Sequence, residues 1–132
     1  MNKKQSEQLS KLEMSVMKVV WELGECTSRQ VIERYCQDRN LADTTLRTVL
    51  ANLRTKGFVT VLPSTSRELL YAPAVEKNEV KKSVMLEMLG NLFDGSPKHA
   101  ILHMIESETV DDDELAEIEK LIENYRKKKD RK

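Results

Sequence analysis

The sequence predicts a mainly α-helical chain with one small β-hairpin: a winged helix-turn-helix domain followed by a three-helix C-terminal region. Three observations lead there. Two helix-start boxes stand early in the chain, Ser10-Lys11-Leu12-Glu13 and Thr27-Ser28-Arg29-Gln30, in which a hydroxyl and an N3 carboxylate or amide each satisfy an orphan backbone N–H. After a third helical stretch the apolar period switches to a β-branched and aromatic run at Phe58 to Leu62. Past Pro73 helical spacing returns and lasts to the end.

The first helix opens at Ser10, with Leu9 and Met14 placed as a hydrophobic staple. Leu12, Val16, Val19, Val20 and Leu23 make its apolar face, and Gly24 is expected to end it in the left-handed region. The second helix opens at Thr27 and hides Val31, Ile32, Tyr35 and Cys36. Asp43 is expected to cap a third helix, whose face is Leu46, Val49, Leu50 and Leu53 and whose end is Gly57. Phe58 to Leu62 reads as a strand, Pro63 to Ser66 as a turn, and Arg67 to Tyr71 as the return strand. Three helices and a hairpin in that order make residues 1–75 a winged-helix domain.

Residues 76–132 read as a helical dimerisation domain with a basic C-terminal tail. Val80, Val84, Met85, Met88, Leu89 and Leu92 form one stripe, Asp94-Gly95 breaks it, and Ser96-Pro97 starts a short helix bearing Ala100, Ile101, Met104 and Ile105. Asp111 to Glu114 and Arg126 to Lys129 place acid and base at the two ends of a last helix, as its dipole favours. Leu115, Ile118, Ile122 and Tyr125 recur along it. Three short helices bury little alone, so a second copy of the chain is expected to cover Val84, Met88, Leu92, Ile101, Met104, Ile105, Leu115, Ile118, Ile122 and Tyr125. The methionines at this helical spacing read as core or interface fillers.

With 39% hydrophobic and 33% charged residues the chain is apolar enough to fold and too charged for a bilayer, so no membrane partner is expected. Met1 to Glu7 has no apolar run behind its charges, which argues against a secretory signal and for the cytoplasm. Cys26 and Cys36, ten apart, match no zinc spacing. His99 and His103 stand at i, i+4, a spacing two imidazoles can use on one metal, but no third ligand is fixed; neither metal nor cofactor is expected. No G-x-S-x-G, P-loop or H-E-x-x-H occurs, so no enzyme is expected. Net charge is formally zero, but its distribution is uneven: residues 1–75 hold 11 basic against 8 acidic side chains, and residues 76–132 hold 11 against 14. Such a balance steers a polyanion toward the head.

The third helix carries the functional expectation. Opposite its leucines stand Thr44, Thr45, Arg47, Thr48, Ala51, Asn52 and Thr55, none acidic or bulky, so this side can enter a major groove without repulsion. Arg47 suits guanine O6 and N7, the threonines suit thymine methyls or phosphates, and Asn52 suits adenine. Ser28 and Arg29, Lys56, and the hairpin residues Ser64, Thr65, Ser66 and Arg67 complete the expected DNA contacts. A winged-helix adaptor that binds only protein is the alternative, since fold alone does not decide function.

The runs Leu12-Glu13-Met14-Ser15-Val16-Met17-Lys18-Val19-Val20-Trp21 and Thr45-Leu46-Arg47-Thr48-Val49-Leu50-Ala51-Asn52-Leu53-Arg54-Thr55-Lys56-Gly57, with Tyr71-Ala72-Pro73 after the hairpin, resemble the bacterial penicillinase and methicillin-resistance repressors and their copper-transport relatives. The resemblance runs from Leu12 to about Tyr125. It implies a homodimeric repressor on a short palindromic promoter operator, using the third helix and the wing. Asn52 departs from it by standing where a basic residue is expected. The copper-responsive members carry a C-terminal Cys-x-Cys, and residues 76–132 contain no cysteine. The β-lactam-responsive members are cut at an Asn-Phe bond whose matching positions here are His103-Met104. The same cut is therefore not expected here, and the partner that lifts repression, an inactivating protease acting elsewhere or another inducer, is unknown.

Overall fold

The computed structural model describes residues 9–130. Met1 to Glu7, read above as lacking a secretory core, and Arg131 and Lys132 of the basic tail lie outside the described residues. The elements run α1 (Lys11–Leu23), β1 (Cys26–Thr27), α2 (Ser28–Cys36), α3 (Asp43–Lys56), β2 (Val59–Leu62), β3 (Leu70–Pro73), α4 (Lys77–Leu92), α5 (Pro97–Glu106) and α6 (Asp112–Asp130). The chain divides into two compact units between Met85 and Leu86, within α4.

In the first unit both expected capping boxes close. Ser10 Oγ accepts from Glu13 N at 3.1 Å while Glu13 Oε1 accepts from Ser10 N at 2.9 Å. Thr27 and Gln30 repeat the exchange at 3.2 and 2.8 Å. Gly57 ends α3 in the left-handed region (φ 87°, ψ 14°), a conformation that glycine adopts without a Cβ penalty. Gly24 also has positive φ (75°) but ψ of −127°, outside the left-handed helical well expected of it, because the chain leaves α1 directly into β1. Asp43 is the first residue of α3 and not its cap: Ala42 takes that position without a side-chain hydrogen bond. The carboxylate of Asp43 still suits the positive end of the helix.

The sheet has three antiparallel strands in the order β1-β3-β2. Within it Val61 stands opposite Tyr71 and Cys26 stands opposite the other side of Tyr71. The two-residue strand β1 has no alternation to announce it and escapes sequence reading. The return strand starts at Leu70, later than Arg67, because serine hydroxyls satisfy the preceding amides locally: Ser64 Oγ accepts from Ser66 N and Ser66 Oγ from Glu68 N, both at 3.1 Å.

The core of this unit gathers Val16, Met17 and Val20 from α1, Val31 from α2, Leu46, Leu50 and Leu53 from α3, and Phe58, Val59 and Tyr71 from the sheet. Val80 of α4 joins it, and Trp21 Nε1 donates to Val75 O at 3.0 Å just before that helix. Cys26 is buried, which pushes its thiol up, so it is an inert core side chain.

In the second unit Ser96 caps α5, accepting from His99 N at 3.2 Å, with Pro97 in the first turn. Asp111 and Glu114 exchange side-chain-to-backbone hydrogen bonds at the start of α6. Burial here is sparse: Leu89 and Ala100 are buried, and no residue of α6 is.

Leu50 is fully enclosed. Leu50→Ala is expected to destabilise the first unit by about 2–5 kcal/mol through lost transfer energy and the cavity left behind. Urea unfolding followed by the fluorescence of Trp21, the sole tryptophan, measures it; a loss near zero would mean that α3 is not anchored by this face.

Candidate nucleic-acid interface

The α3 helix presents two opposed faces. Leu46, Val49, Leu50 and Leu53 are buried at 0–5% exposure. Thr44, Arg47, Thr48, Ala51, Asn52 and Thr55 are exposed, and Thr45 is half-buried. Thr48 Oγ1 donates to Thr44 O at 3.0 Å and Thr55 Oγ1 to Ala51 O at 3.1 Å. These hydroxyls spend their protons on their own helix, so what they offer outward is a methyl group and an acceptor oxygen.

Two side chains expected to touch DNA also have partners within the chain. Ser28 is buried at 6% exposure, and its Oγ accepts from Arg47 Nη1 at 2.7 Å. It is the first residue of α2, beside the strand β1, and lies beneath the surface. The Lys56 ammonium lies 2.7 Å from Glu13 Oε1, the oxygen that also accepts from Ser10 N. Lys56 therefore ties the last turn of α3 to the first turn of α1. Sequence reading saw Glu13 only as part of a local box; a partner 43 residues away leaves no local signal.

Arg29 is exposed on α2, its Nε 3.9 Å from Glu68 Oε1 on the hairpin side, so these two parts of the expected interface are neighbours. Ser64, Thr65, Ser66 and Arg67 are all exposed. Arg54, in the last turn of α3, is a further exposed base that the sequence reading did not single out. Among the described residues, no group of three or more His, Cys, Asp or Glu side chains is placed to hold a metal. The His103 ring instead faces Phe93, with centroids 5.8 Å apart.

The residues expected at a dimer interface are exposed in the single chain. Leu92 and Tyr125 stand at 72% and 65%, Val84, Met88, Ile101, Met104, Ile105, Ile118 and Ile122 at 40–53%, and Leu115 is half-buried. An open groove of about 550 Å³ along α6 is lined by Ile118, Leu121, Ile122, Tyr125, Arg126 and Lys129.

The chain matches the family model described as penicillinase repressor over residues 9–124. It is similar to the transcriptional regulator BlaI of Mycobacterium tuberculosis, with 35% identity covering 84% of this chain and 85% of that one. It is also similar to the penicillinase repressor of Bacillus licheniformis, 22% identical over 92% of this chain and 94% of the relative. The methicillin resistance regulatory protein MecI of Mammaliicoccus sciuri is 23% identical over 87% of this chain and 93% of its own. Among solved structures, the solution structure of the Bacillus licheniformis BlaI monomeric form in complex with the blaP half-operator superposes with a TM-score of 0.48 at 26% identity, covering 55% of this chain and 88% of that chain.

The Glu13–Lys56 pair makes stability depend on pH. Burial raises the Glu13 pKa, but the hydrogen bonds from Lys56 and Ser10 and the charge of Lys56 outweigh it and hold the carboxyl below its ordinary value of 4.5. A depressed carboxylate stabilises the fold above its unfolded pKa, and this contribution fades as pH falls through the folded value. Glu13→Gln is expected to cost about 1–3 kcal/mol at pH 7. It should also flatten the loss of stability on acidification below about pH 4.5. Urea titrations at neutral and acid pH check both; parallel wild-type and variant profiles would remove Glu13 from the account.

Proposed function

We infer the function from one premise: the chain belongs to the penicillinase repressor family. It is a transcriptional repressor that binds DNA. In our reading α3 enters the major groove of a promoter operator, the hairpin between β2 and β3 follows the adjacent backbone, and the bound protein blocks transcription from that promoter. The observation that supports this most directly is the outward face of α3, where threonines, Asn52 and Arg47 are open and no acidic side chain intrudes. Arg47 reads guanine, while Thr44, Thr45, Thr48 and Asn52 contact neighbouring bases and phosphates. Arg29 and the wing residues Ser64 to Arg67 lie along the backbone, and Arg54 adds a base at the end of α3. The work is binding and not catalysis, and it is done in the cytoplasm, where promoter DNA is.

The repressor acts as a homodimer. Met85, Leu86 and Met88 are successive enough to sit on different sides of α4, and each is 42–53% exposed. Exposed apolar side chains grouped in this way suit an association surface. A second copy, laid against α4, α5 and the apolar side of α6, supplies the missing cover. Two heads related by a two-fold axis then read a palindromic operator whose half-site spacing mirrors that axis.

Arg47→Ala is expected to reduce the preference for a selected operator over random duplex by about 5- to 150-fold, the worth of one good bidentate base contact. Competition binding followed by anisotropy measures it, and an unchanged sequence preference would take α3 out of the groove. Ile122→Asp or Met88→Asp is expected to yield monomers at micromolar concentration in sedimentation. Operator affinity should fall by about 10²-fold or more, because the heads no longer share one attachment. A dimer that survives both substitutions would move the interface elsewhere.

A further inference from the structure

The structure assigns to Ser28 a positioning role: its buried hydroxyl holds the guanidinium of Arg47 in the orientation that reads DNA, and so sets base preference without touching a base. The inference rests on the DNA-binding reading above and deepens it.

The carrying observation is the contact between Arg47 Nη1 and Ser28 Oγ at 2.7 Å. Ser28 is 6% exposed, and its position is fixed from two directions. On one side Thr27 closes a capping box with Gln30; on the other Thr27 pairs with Leu70 in the sheet. The oxygen that receives Arg47 is thus carried on buried backbone held by its neighbour.

The chemistry of the acceptor matters as much as its place. Three other bases of the head meet carboxylates, Arg29 with Glu68, Arg34 with Glu22 and Asp38, and Lys56 with Glu13, while Arg39 lies over the Tyr35 ring. Arg47, among the described residues, has no carboxylate in ion-pair range. A hydroxyl orients a guanidinium and leaves its positive charge uncompensated, whereas an acid would orient and neutralise it. One of five N–H donors is used. The edge formed by Nε and Nη2 keeps the two parallel donors that guanine O6 and N7 accept. Holding a rotamer-rich side chain in place before DNA arrives also removes its ordering from the binding step.

The test uses the full chain, a duplex recovered by the wild-type protein from a random-sequence pool, and poly(dA-dT), which has no O6/N7 acceptor pair, as non-specific DNA. Ser28→Ala should lower the preference for the recovered duplex by about tenfold, the effect of one charge-assisted hydrogen bond. Affinity for poly(dA-dT), and the slope of log affinity against log salt, should stay as in the wild type, because phosphate contacts are unaffected. Ser28→Cys, close in volume and a weak acceptor, should behave in the same way and guards against a packing defect in the alanine variant. In an Arg47→Ala background neither substitution should change the preference further. An unchanged preference in both Ser28 variants, an equal loss on both DNAs, or a full loss that persists without Arg47 would each overturn the role of Ser28 while leaving the repressor intact. Failure of the wild-type protein to enrich any sequence would instead defeat the DNA-binding reading, and this inference with it.

Discussion

The head depends on the rotation of α3 about its own axis. Leu46, Val49, Leu50 and Leu53 are enclosed by α1, α2 and the sheet, and burying such side chains is worth about 1.5–3 kcal/mol each. A turn of the helix by one residue, about 100°, would expose leucines and push Arg47 or Thr48 into the core without partners. No arrangement of the polar face could compensate for that. The orientation of the reading side is therefore set by the side that never meets a ligand, and the outward threonines and Arg47 inherit their direction from the leucines behind them.

Axial position is settled by different means. At the C-terminal end Gly57 turns the chain, Phe58 N donates back to Leu53 O at 2.9 Å, and Lys56 reaches Glu13. The same Glu13 closes the box that begins α1, so one carboxylate oxygen relates the start of the first helix to the end of the third. Nearer the other end Arg47 meets Ser28 at the start of α2. The leucines set the angle, and these two polar ties resist sliding. Both add to the hold of the hydrophobic face, which is itself close-packed.

These two kinds of constraint also explain what could be read from the sequence. Ser10–Glu13, Thr27–Gln30 and Ser96–Pro97 are signals confined to four residues, and each gave a helix start where expected. The leucine period of α3 and the β-branched run of β2 were legible for the same reason. Asp43 misled because an acid beside a helix start fits either the cap or the first turn, and only backbone geometry distinguishes them. The strand β1 was invisible, since two residues have no period and Cys26–Thr27 becomes a strand only by pairing with β3. The partners of Ser28 and Lys56 within the chain were invisible on the same ground, since they stand 19 and 43 positions away.

The second unit follows the opposite economy. Its helices place apolar side chains on more sides than one chain can cover, with Leu86, Leu92, Ile101, Leu102, Leu121 and Tyr125 all at least 45% exposed. Water-facing leucine at this density has little to offer a monomer, and patches of this kind mark association surfaces. The acidic residues of the region do not dilute it. Asp111, Asp112, Asp113 and Glu114 gather at the start of α6, where they complement the helix dipole and leave the stripe from Ile118 to Tyr125 apolar. In the head, polar groups are spent on fixing one chain's own geometry. Beyond it the acids of the last helix gather at its start and along the side away from Ile118, Leu121, Ile122 and Tyr125, which leaves that stripe apolar and open.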